Sequence, residues 1–255
     1  AWLALDIGTN NIHVVVFKTN PNQIILSWNR PSFGVKRGII SDIDDVSVCL
    51  DKVLDEVSSA LNTNILKGIV CIGGNRIETR KSKGIVIIAN DNNEINKSDI
   101  LRAQQSSQSF SLPANRILVH SIPQKFLVDG VEVSDNPVGM AGMRLEVESL
   151  IIDAFMPDIK NLENVLKNVG FKQEAMVVNT LAGSYGALSK QEKELGVIGI
   201  DFGASTTSIS VFEEDKLIYT KVLPVGGIHI SNDIALWLTI PFNEGENIKI
   251  NLGSA

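Results

Sequence analysis

Residues 3–17 have the sequence LALDIGTNNIHVVVF, and residues 198–212 have the sequence IGIDFGASTTSISVF. The two stretches align without a gap and place Asp6 on Asp201. Each consists of an apolar run, an Asp-x-Gly turn with hydroxyl or amide residues, and a second run rich in Val or Ile, a pattern typical of a β-hairpin. Two similar hairpins so far apart predict two similar lobes in one chain.

The order of elements after each hairpin supports this prediction. After the first, the pattern predicts a strand over residues 23–29 and a helix over residues 42–61, with Asp42 as its N-cap. After the second, it predicts a strand over residues 216–223 and a helix over residues 228–238. A β-β-β-α order that occurs twice predicts an α/β protein with two lobes.

Residues 78–148 repeat nothing in either lobe. The pattern there predicts strands over residues 84–89 and 117–128 and a helix over residues 98–109. The basic residues between positions 80 and 83 are interpreted as a solvated turn. We therefore expect an inserted α+β subdomain.

The repeat and the insertion together predict the domain boundaries. After the insertion, strands are expected over residues 145–154 and 174–178 and helices over residues 158–169 and 180–189. The first lobe is predicted over residues 1–77 and 149–188, the insertion over 78–148, part of the second lobe over 189–240, and the start of the outer subdomain of that lobe over 241–255.

The composition excludes some classes of function. The 255 residues are 44% hydrophobic and 20% charged, with a net charge of −6. No apolar run approaches the about 18 residues that a membrane helix needs, and no stretch combines basic and aromatic residues, which argues against a membrane span and a nucleic-acid surface. Cys49 and Cys71 are predicted to be reduced, buried thiols, as in a cytoplasmic protein.

The paired turns suit the binding of a polyphosphate. Glycine lets the backbone approach a ligand closely, so that successive N–H groups point at phosphate oxygens. Asp6 and Asp201 would not touch a phosphate, because like charges repel, but they suit the water shell of a bridging Mg²⁺. One such hairpin is more often a plain tight turn, whereas two in matching context favour a triphosphate clamp. The side-chain donors are Thr9, Asn10 and Asn11 in one loop and Ser205, Thr206 and Thr207 in the other.

A third candidate element lies near the end of the sequence. Glu246 and Lys249 share one face if their segment is helical, and such a pair can hydrogen-bond ribose hydroxyls. Taken alone, the pair is better explained as a solvated ion pair. The Walker pattern and the Gly-x-Gly-x-x-Gly fingerprint are absent, so the sequence supports neither a P-loop nor a Rossmann site.

These motifs resemble the actin-like ATP-binding superfamily. The resemblance rests on DIGT at residues 6–9, DFGAST at 201–206, PVGG at 224–227, and Glu246 with Lys249. A more specific resemblance, over most of the chain, is to the FtsA family of bacterial cell-division proteins. It rests on GIISD at 38–42, LVHSIPQKFLVDGV at 118–131, NPVGMAGMRLEVE at 136–148, EKELGVIGID at 192–201 and SNDIA at 231–235.

The resemblance implies an actin-like fold that binds ATP with Mg²⁺ and self-associates into head-to-tail filaments. It also implies that the protein tethers FtsZ, through the FtsZ C-terminal peptide, to the inner face of the cytoplasmic membrane at the division septum, with other divisome proteins as partners. The rest of the second lobe and a C-terminal membrane helix are expected after Ala255. The implied nucleotide contacts are Asp6, Gly8, Thr9, Asn10, Asn11, Asp201, Gly203, Ala204, Ser205, Thr206, Thr207, Gly226, Gly227, Glu246 and Lys249.

The resemblance further implies slow ATP hydrolysis or none. Asn179 falls where actin has its water-orienting glutamine, and its shorter amide reaches less far, so it is a weak candidate catalytic residue. Ala204 and Ser205 stand where relatives often have two glycines, and Ser208 stands where many have aspartate.

Two other functions share this fold. A sugar or acyl kinase needs a general-base aspartate, for which the insertion offers Asp129 and Asp135, both in turn-like context. A pilus-assembly or rod-shape relative of actin has the same cleft but is not expected to carry the motifs at residues 122–124 and 136–140.

Overall fold

A computed structural model describes residues 2–89, 92–109 and 112–254. The predicted boundaries at residues 1 and 255 lie outside these ranges. The helices are α1 (Ile43–Leu61), α2 (Lys97–Gln108), α3 (Met156–Asn168), α4 (Asn179–Ala187), α5 (Lys190–Leu195), α6 (Gly227–Leu238) and α7 (Phe242–Leu252). The strands are β1 (Trp2–Ile7), β2 (Asn11–Thr19), β3 (Asn22–Pro31), β4 (Val35–Lys36), β5 (Ile39–Ile40), β6 (Lys67–Ile72), β7 (Glu78–Ile87), β8 (Arg116–Val128), β9 (Val131–Val133), β10 (Arg144–Phe155), β11 (Lys172–Val178), β12 (Val197–Phe202), β13 (Thr207–Glu213) and β14 (Lys216–Leu223).

The first sheet has the strand order β11-β6-β1-β2-β3. The repeated hairpin supplies its antiparallel pair β1 and β2, while β6 lies parallel to β1 and β11 parallel to β6. Helix α1 begins at the predicted cap, because the Asp42 carboxylate accepts hydrogen bonds from the N–H groups of Asp44 and Asp45. Fully buried side chains join the sheet to α1 and α3: Leu3, Leu5, Val14, Val46, Leu50 and Val165.

The second sheet repeats the first hairpin and its third strand, in the order β12-β13-β14. Helix α6 follows, as predicted, and α7 follows α6. Phe212 and Leu217 of this sheet are buried in the same apolar core as β1 and α1. The predicted α/β class and the repeated element order are therefore confirmed.

A third sheet has the order β7-β10-β8-β9 and lies mostly within the residues predicted as the insertion, with β10 continuing to Phe155. Helix α2 covers it and begins with a capping box, in which Asn96 and Asp99 exchange side-chain and backbone hydrogen bonds. The helix lies so close to β7 that a Cβ on Gly84 would sit 2.0 Å from the Ala103 carbonyl oxygen.

The prediction of a basic turn before residue 84 is wrong. Strand β7 begins at Glu78 and includes the basic residues. Arg80 Nε lies 2.8 Å from Asp153, a fully buried carboxylate of β10, and Lys83 pairs with the buried Glu146. These ion pairs between β7 and β10 stabilise the first half of β7, which the local sequence does not reveal as a strand.

Several short elements are absent from the sequence-based prediction. They are α5, which begins with a Ser189–Glu192 capping box, and the strands β4, β5 and β9. Within the described ranges, no helix combines the length and apolar composition needed to cross a bilayer.

Candidate functional site

The two repeated turns face each other across a cleft of about 810 Å³. Each turn closes with the same hydrogen bond: Gly8 N–H donates to the Asn11 oxygen, and Gly203 N–H donates to the Thr206 oxygen, both at 2.9 Å. The loops also touch directly, since the hydroxyl oxygens of Thr9 and Ser205 lie 2.6 Å apart. The internal repeat thus places two equivalent loops on opposite walls of one cleft.

Most of the predicted site residues line this cleft. They are Asp6, Gly8, Thr9, Asn10, Asn11, Asn179, Asp201, Gly203, Ala204, Thr206, Gly227, Glu246 and Lys249. The other three, Ser205, Thr207 and Gly226, lie behind the lining and hold the second loop in place. The Thr207 hydroxyl donates to the Val225 oxygen at 2.7 Å, for example.

The carboxylates of Asp6 and Asp201 lie in the cleft without a hydrogen-bond donor among the described residues. Burial raises the pKa of Asp6, the nearby His13 partly opposes this, and the charge of Asp201 raises the pKa further. A partly buried carboxylate next to a second carboxylate favours a cation. The pair therefore fits a hydrated Mg²⁺, whose bound waters would donate to the carboxylates.

Gly226 allows the N-terminus of α6 to dock on the second loop. The N–H groups of Gly227 and Ile228 donate to the carbonyl oxygens of Gly203 and Ala204, at 3.0 and 2.8 Å. A Cβ on Gly226 would lie 2.5 Å from the Gly203 oxygen, so only glycine permits this approach. The first turn of α6 is thereby fixed beside the loop, and its first N–H groups are occupied by the loop carbonyl oxygens.

Glu246 and Lys249 lie on α7 and form an ordered network beside the first turn of α6. Lys249 Nζ donates to Glu246 at 2.7 Å and to the Gly227 oxygen at 3.2 Å, and the Ser231 hydroxyl also donates to Glu246. The hydrogen bond from Lys249, followed by that from Ser231, lowers the pKa of Glu246. These contacts with α6 distinguish the pair from a freely solvated ion pair.

Asn179 lies at the floor of the cleft, where β11 ends and α4 begins. Its Oδ1 accepts from the Thr180 N–H at 2.7 Å. Gly73 lies against the amide, since a Cβ there would be 2.6 Å from Asn179 Nδ2. The side chain is therefore held in one orientation by its own helix and by the end of β6.

The sequence-based prediction missed other residues of the lining. His13 is opposite Asp6 in the β1–β2 register, a pairing that the hairpin pattern could have revealed. Gly38, between β4 and β5, donates its N–H to Thr9 Oγ1 at 3.1 Å. Apolar residues of the second lobe complete the lining: Phe202, Ile228, Ile230, Phe242 and Ile250.

Two family models match the chain. The model described as "SHS2 domain inserted in FTSA" matches residues 74–153, which include the third sheet except the last two residues of β10. The model described as "Cell division protein FtsA" matches residues 198–255, which include the second phosphate-loop candidate. The chain belongs to the FtsA family.

Relatives along the whole chain agree with this assignment. The cell division protein FtsA of Bacillus subtilis is 36% identical over 100% of this chain and 58% of its own length. That of Borreliella burgdorferi is 34% identical over 99% of this chain and 62% of its own length. This FtsA-family chain thus spans about three fifths of the curated relatives that it matches.

Solved structures show the same fold at low sequence identity. A structure entitled "PilM-PilN type IV pilus biogenesis complex" has a TM-score of 0.72 and 17% identity, covering 99% of this chain and 70% of that one. MreB 5 of Spiroplasma citri, bound to AMPPNP, has a TM-score of 0.51 and 15% identity, covering 99% and 62%. The actin-like fold predicted for this FtsA-family chain is confirmed.

The FtsA motif at residues 118–131 contributes a histidine beside Asn179. The Val178 N–H donates to His120 Nε2 at 3.1 Å, so that nitrogen carries no proton. Burial lowers the pKa of His120, because it penalises the charged ring. The contact therefore requires the neutral imidazole.

We expect the free energy of unfolding to decrease as the pH falls below 6.5, the ordinary histidine value. There the unfolded chain binds a proton at His120 that the folded chain does not, so acidification favours unfolding until the lower folded pKa is passed. His120→Gln retains an acceptor but does not titrate, so its stability should depend less on pH. Urea unfolding at several pH values tests this prediction. If the free energy of unfolding changes equally with pH in the two proteins, the prediction is contradicted.

Proposed function

We propose that this chain is the nucleotide-binding part of a cell-division scaffold and binds ATP with Mg²⁺ between its two lobes. The observation that carries the proposal is the pair of equivalent Asp-x-Gly loops on opposite walls of one cleft, each with a carboxylate that accepts no hydrogen bond from the described residues. Membership of the FtsA family, with two specific models matched, supports the role in division.

The parts of the cleft suit different parts of the nucleotide. Backbone N–H groups and side chains of the loops at residues 8–11 and 203–207 would bind the phosphates, and Gly226 and Gly227 would lie near the phosphates and the sugar. Glu246 and Lys249, which also line the cleft, are proposed to contact the ribose hydroxyls. A hydrated Mg²⁺ held by Asp6 and Asp201 would neutralise the polyphosphate.

Hydrolysis is proposed to be slow. Asn179 is the amide at the floor of the cleft, and its Oδ1 already accepts from Thr180. Asn179 would orient an attacking water with its Nδ2 donors and the second lone pair of Oδ1. We therefore propose that the nucleotide acts mainly by closing the cleft, and that lobe closure controls assembly into head-to-tail filaments.

The proposed partners are those of the family. We propose binding of the FtsZ C-terminal peptide, association with other divisome proteins, and a peripheral location at the inner face of the cell membrane at the division site. The insertion, proposed as residues 78–148, and the second lobe, proposed to begin at residue 189, would supply filament contacts.

The two kinase candidates fit other roles better. Asp129 accepts from the N–H groups of Met143 and Arg144 in the turn after β8, the latter at 2.8 Å. Asp135 pairs with Lys216 Nζ at 2.6 Å. Neither lines the cleft, so a general-base role at a bound acceptor lacks support.

Binding of a labelled FtsZ C-terminal peptide to the full-length protein, measured by fluorescence anisotropy, tests the division role. We expect saturable binding of the peptide and none of a scrambled peptide of the same composition. ATP binding without peptide binding would instead favour a kinase or another relative of actin.

A further inference from the structure

Strand β14 of the second lobe is an edge strand, and the insertion covers its outer side. A bulge in the β13–β14 pairing leaves Ile218 as an extra residue, so the carbonyls of Leu217 and Thr220 both point away from β13. Leu217 and Thr220 are buried, and buried carbonyl groups require donors. The insertion supplies those donors.

Gln124 of β8 is the central contact. Its Nε2 donates to the Leu217 oxygen at 3.1 Å and to the Ile122 oxygen of its own strand at 3.2 Å. The Thr79 hydroxyl of β7 donates to the Thr220 oxygen at 3.3 Å, and Lys216 pairs with Asp135. The insertion thus holds β14 at three positions along its length.

The same strand of the insertion also contacts the first lobe. Four residues before Gln124, His120 accepts the hydrogen bond from Val178, which directly precedes Asn179. Strand β8 therefore binds one lobe beside the floor of the cleft and the other lobe at Leu217 of β14.

The chain continues from β14 into the segment that forms the second wall of the cleft. Strand β14 ends at Leu223, and the next residues carry the Val225 oxygen that binds Thr207 and the Gly226 backbone that packs on the second loop. A shift of β14 would move this wall relative to Asn179.

We infer that Gln124 is a positioning residue that couples the insertion to the nucleotide cleft, so that the insertion fixes the spacing between the two walls. This inference rests on the proposed function in one respect: Mg–ATP is the ligand whose affinity measures the coupling. It assigns to the HSIPQ segment at residues 120–124 a role within one chain, between its two lobes.

The test compares Gln124→Met with Lys125→Met. Methionine matches the length of glutamine but cannot donate to Leu217. Lys125, the next residue, pairs with Glu132 and Glu148 and has no ion pair with β14 among the described residues, so its variant is the matched control. Two measurements are made on each full-length protein: calorimetric affinity for Mg–ATP, and hydrogen exchange of residues 216–227 followed by mass spectrometry.

For Gln124→Met we expect three- to tenfold weaker Mg–ATP binding and faster exchange in residues 216–227, including the segment after β14. For Lys125→Met we expect neither change. Unchanged exchange, equal effects of the two variants, or faster exchange with unchanged affinity would overturn the inference.

The exchange measurement separates this inference from the proposed function. If the wild-type protein binds no Mg–ATP, the proposed function fails. Hydrogen exchange of residues 224–227 then tests the inference by itself. Faster exchange there in Gln124→Met would support the coupling, and wild-type exchange would overturn it.

Discussion

Gly226→Ala is expected to weaken Mg–ATP binding at least tenfold, or about 1.4 kcal/mol. The backbone of Gly226 is extended, with φ of −160°, so alanine is compatible with the local conformation. The effect comes from packing, because the new Cβ would lie 2.5 and 2.7 Å from the carbonyl oxygens of Gly203 and Ala204. Relief of this clash must separate α6 from the second loop.

Calorimetric titration and thermal unfolding of the same samples measure this effect. Gly186→Ala is a suitable control, since a Cβ at that position of α4 has no described atom within 4 Å beyond its chain neighbours and its own helix backbone. We expect the control to bind as the wild type does. Wild-type affinity in Gly226→Ala would show that the docking of α6 on the loop does not shape the site.

Asp6→Asn is expected to reduce Mg–ATP affinity at least tenfold while raising the thermal stability of the nucleotide-free protein. The affinity falls because an amide attracts the hydrated Mg²⁺ less strongly than a carboxylate does. The stability rises because burial raises the pKa of Asp6, so the ionised carboxylate destabilises the fold above the unfolded pKa. Opposite changes in affinity and stability would distinguish loss of the site from misfolding.

The same pKa shift predicts a pH dependence of binding. Because the folded pKa of Asp6 is raised, protons should compete with Mg²⁺ at a higher pH than for an ordinary aspartate. Affinity should therefore fall on mild acidification, less steeply in Asp6→Asn. Asp51→Asn, on the exposed face of α1, is the control and should change neither affinity nor its pH dependence. If Asp6→Asn lowers both the Mg–ATP affinity and the thermal stability of the nucleotide-free protein, the proposed metal role of Asp6 is contradicted.

The parts of the fold that were predictable from sequence are those with local causes. The hairpins repeat a recognisable pattern, and the Asp42 cap depends on residues two and three positions away. The start of β7 was not predictable, because Arg80 is paired by Asp153, 73 residues later. Helix α5 is only six residues long and depends on its capping box more than on an apolar face.

The candidate site likewise has features with local causes and features that depend on distant residues. Its loops were predictable because each is one turn of a repeat. The position of Gly38 beside Thr9 and the close approach of Gly226 to Gly203 depend on segments brought together by the fold. Gln124 belongs to a motif visible in the sequence, but its contact with Leu217, 93 residues away, is a property of the three-dimensional arrangement alone.

The central claim is that the paired loops form one site for ATP with Mg²⁺. Calorimetric titration of the wild-type protein with ATP, in the presence of Mg²⁺ and again with excess chelator, tests it most directly. We predict saturable binding of one nucleotide per chain that weakens at least tenfold when Mg²⁺ is removed. Absence of binding, or an affinity that does not depend on Mg²⁺, would contradict the account.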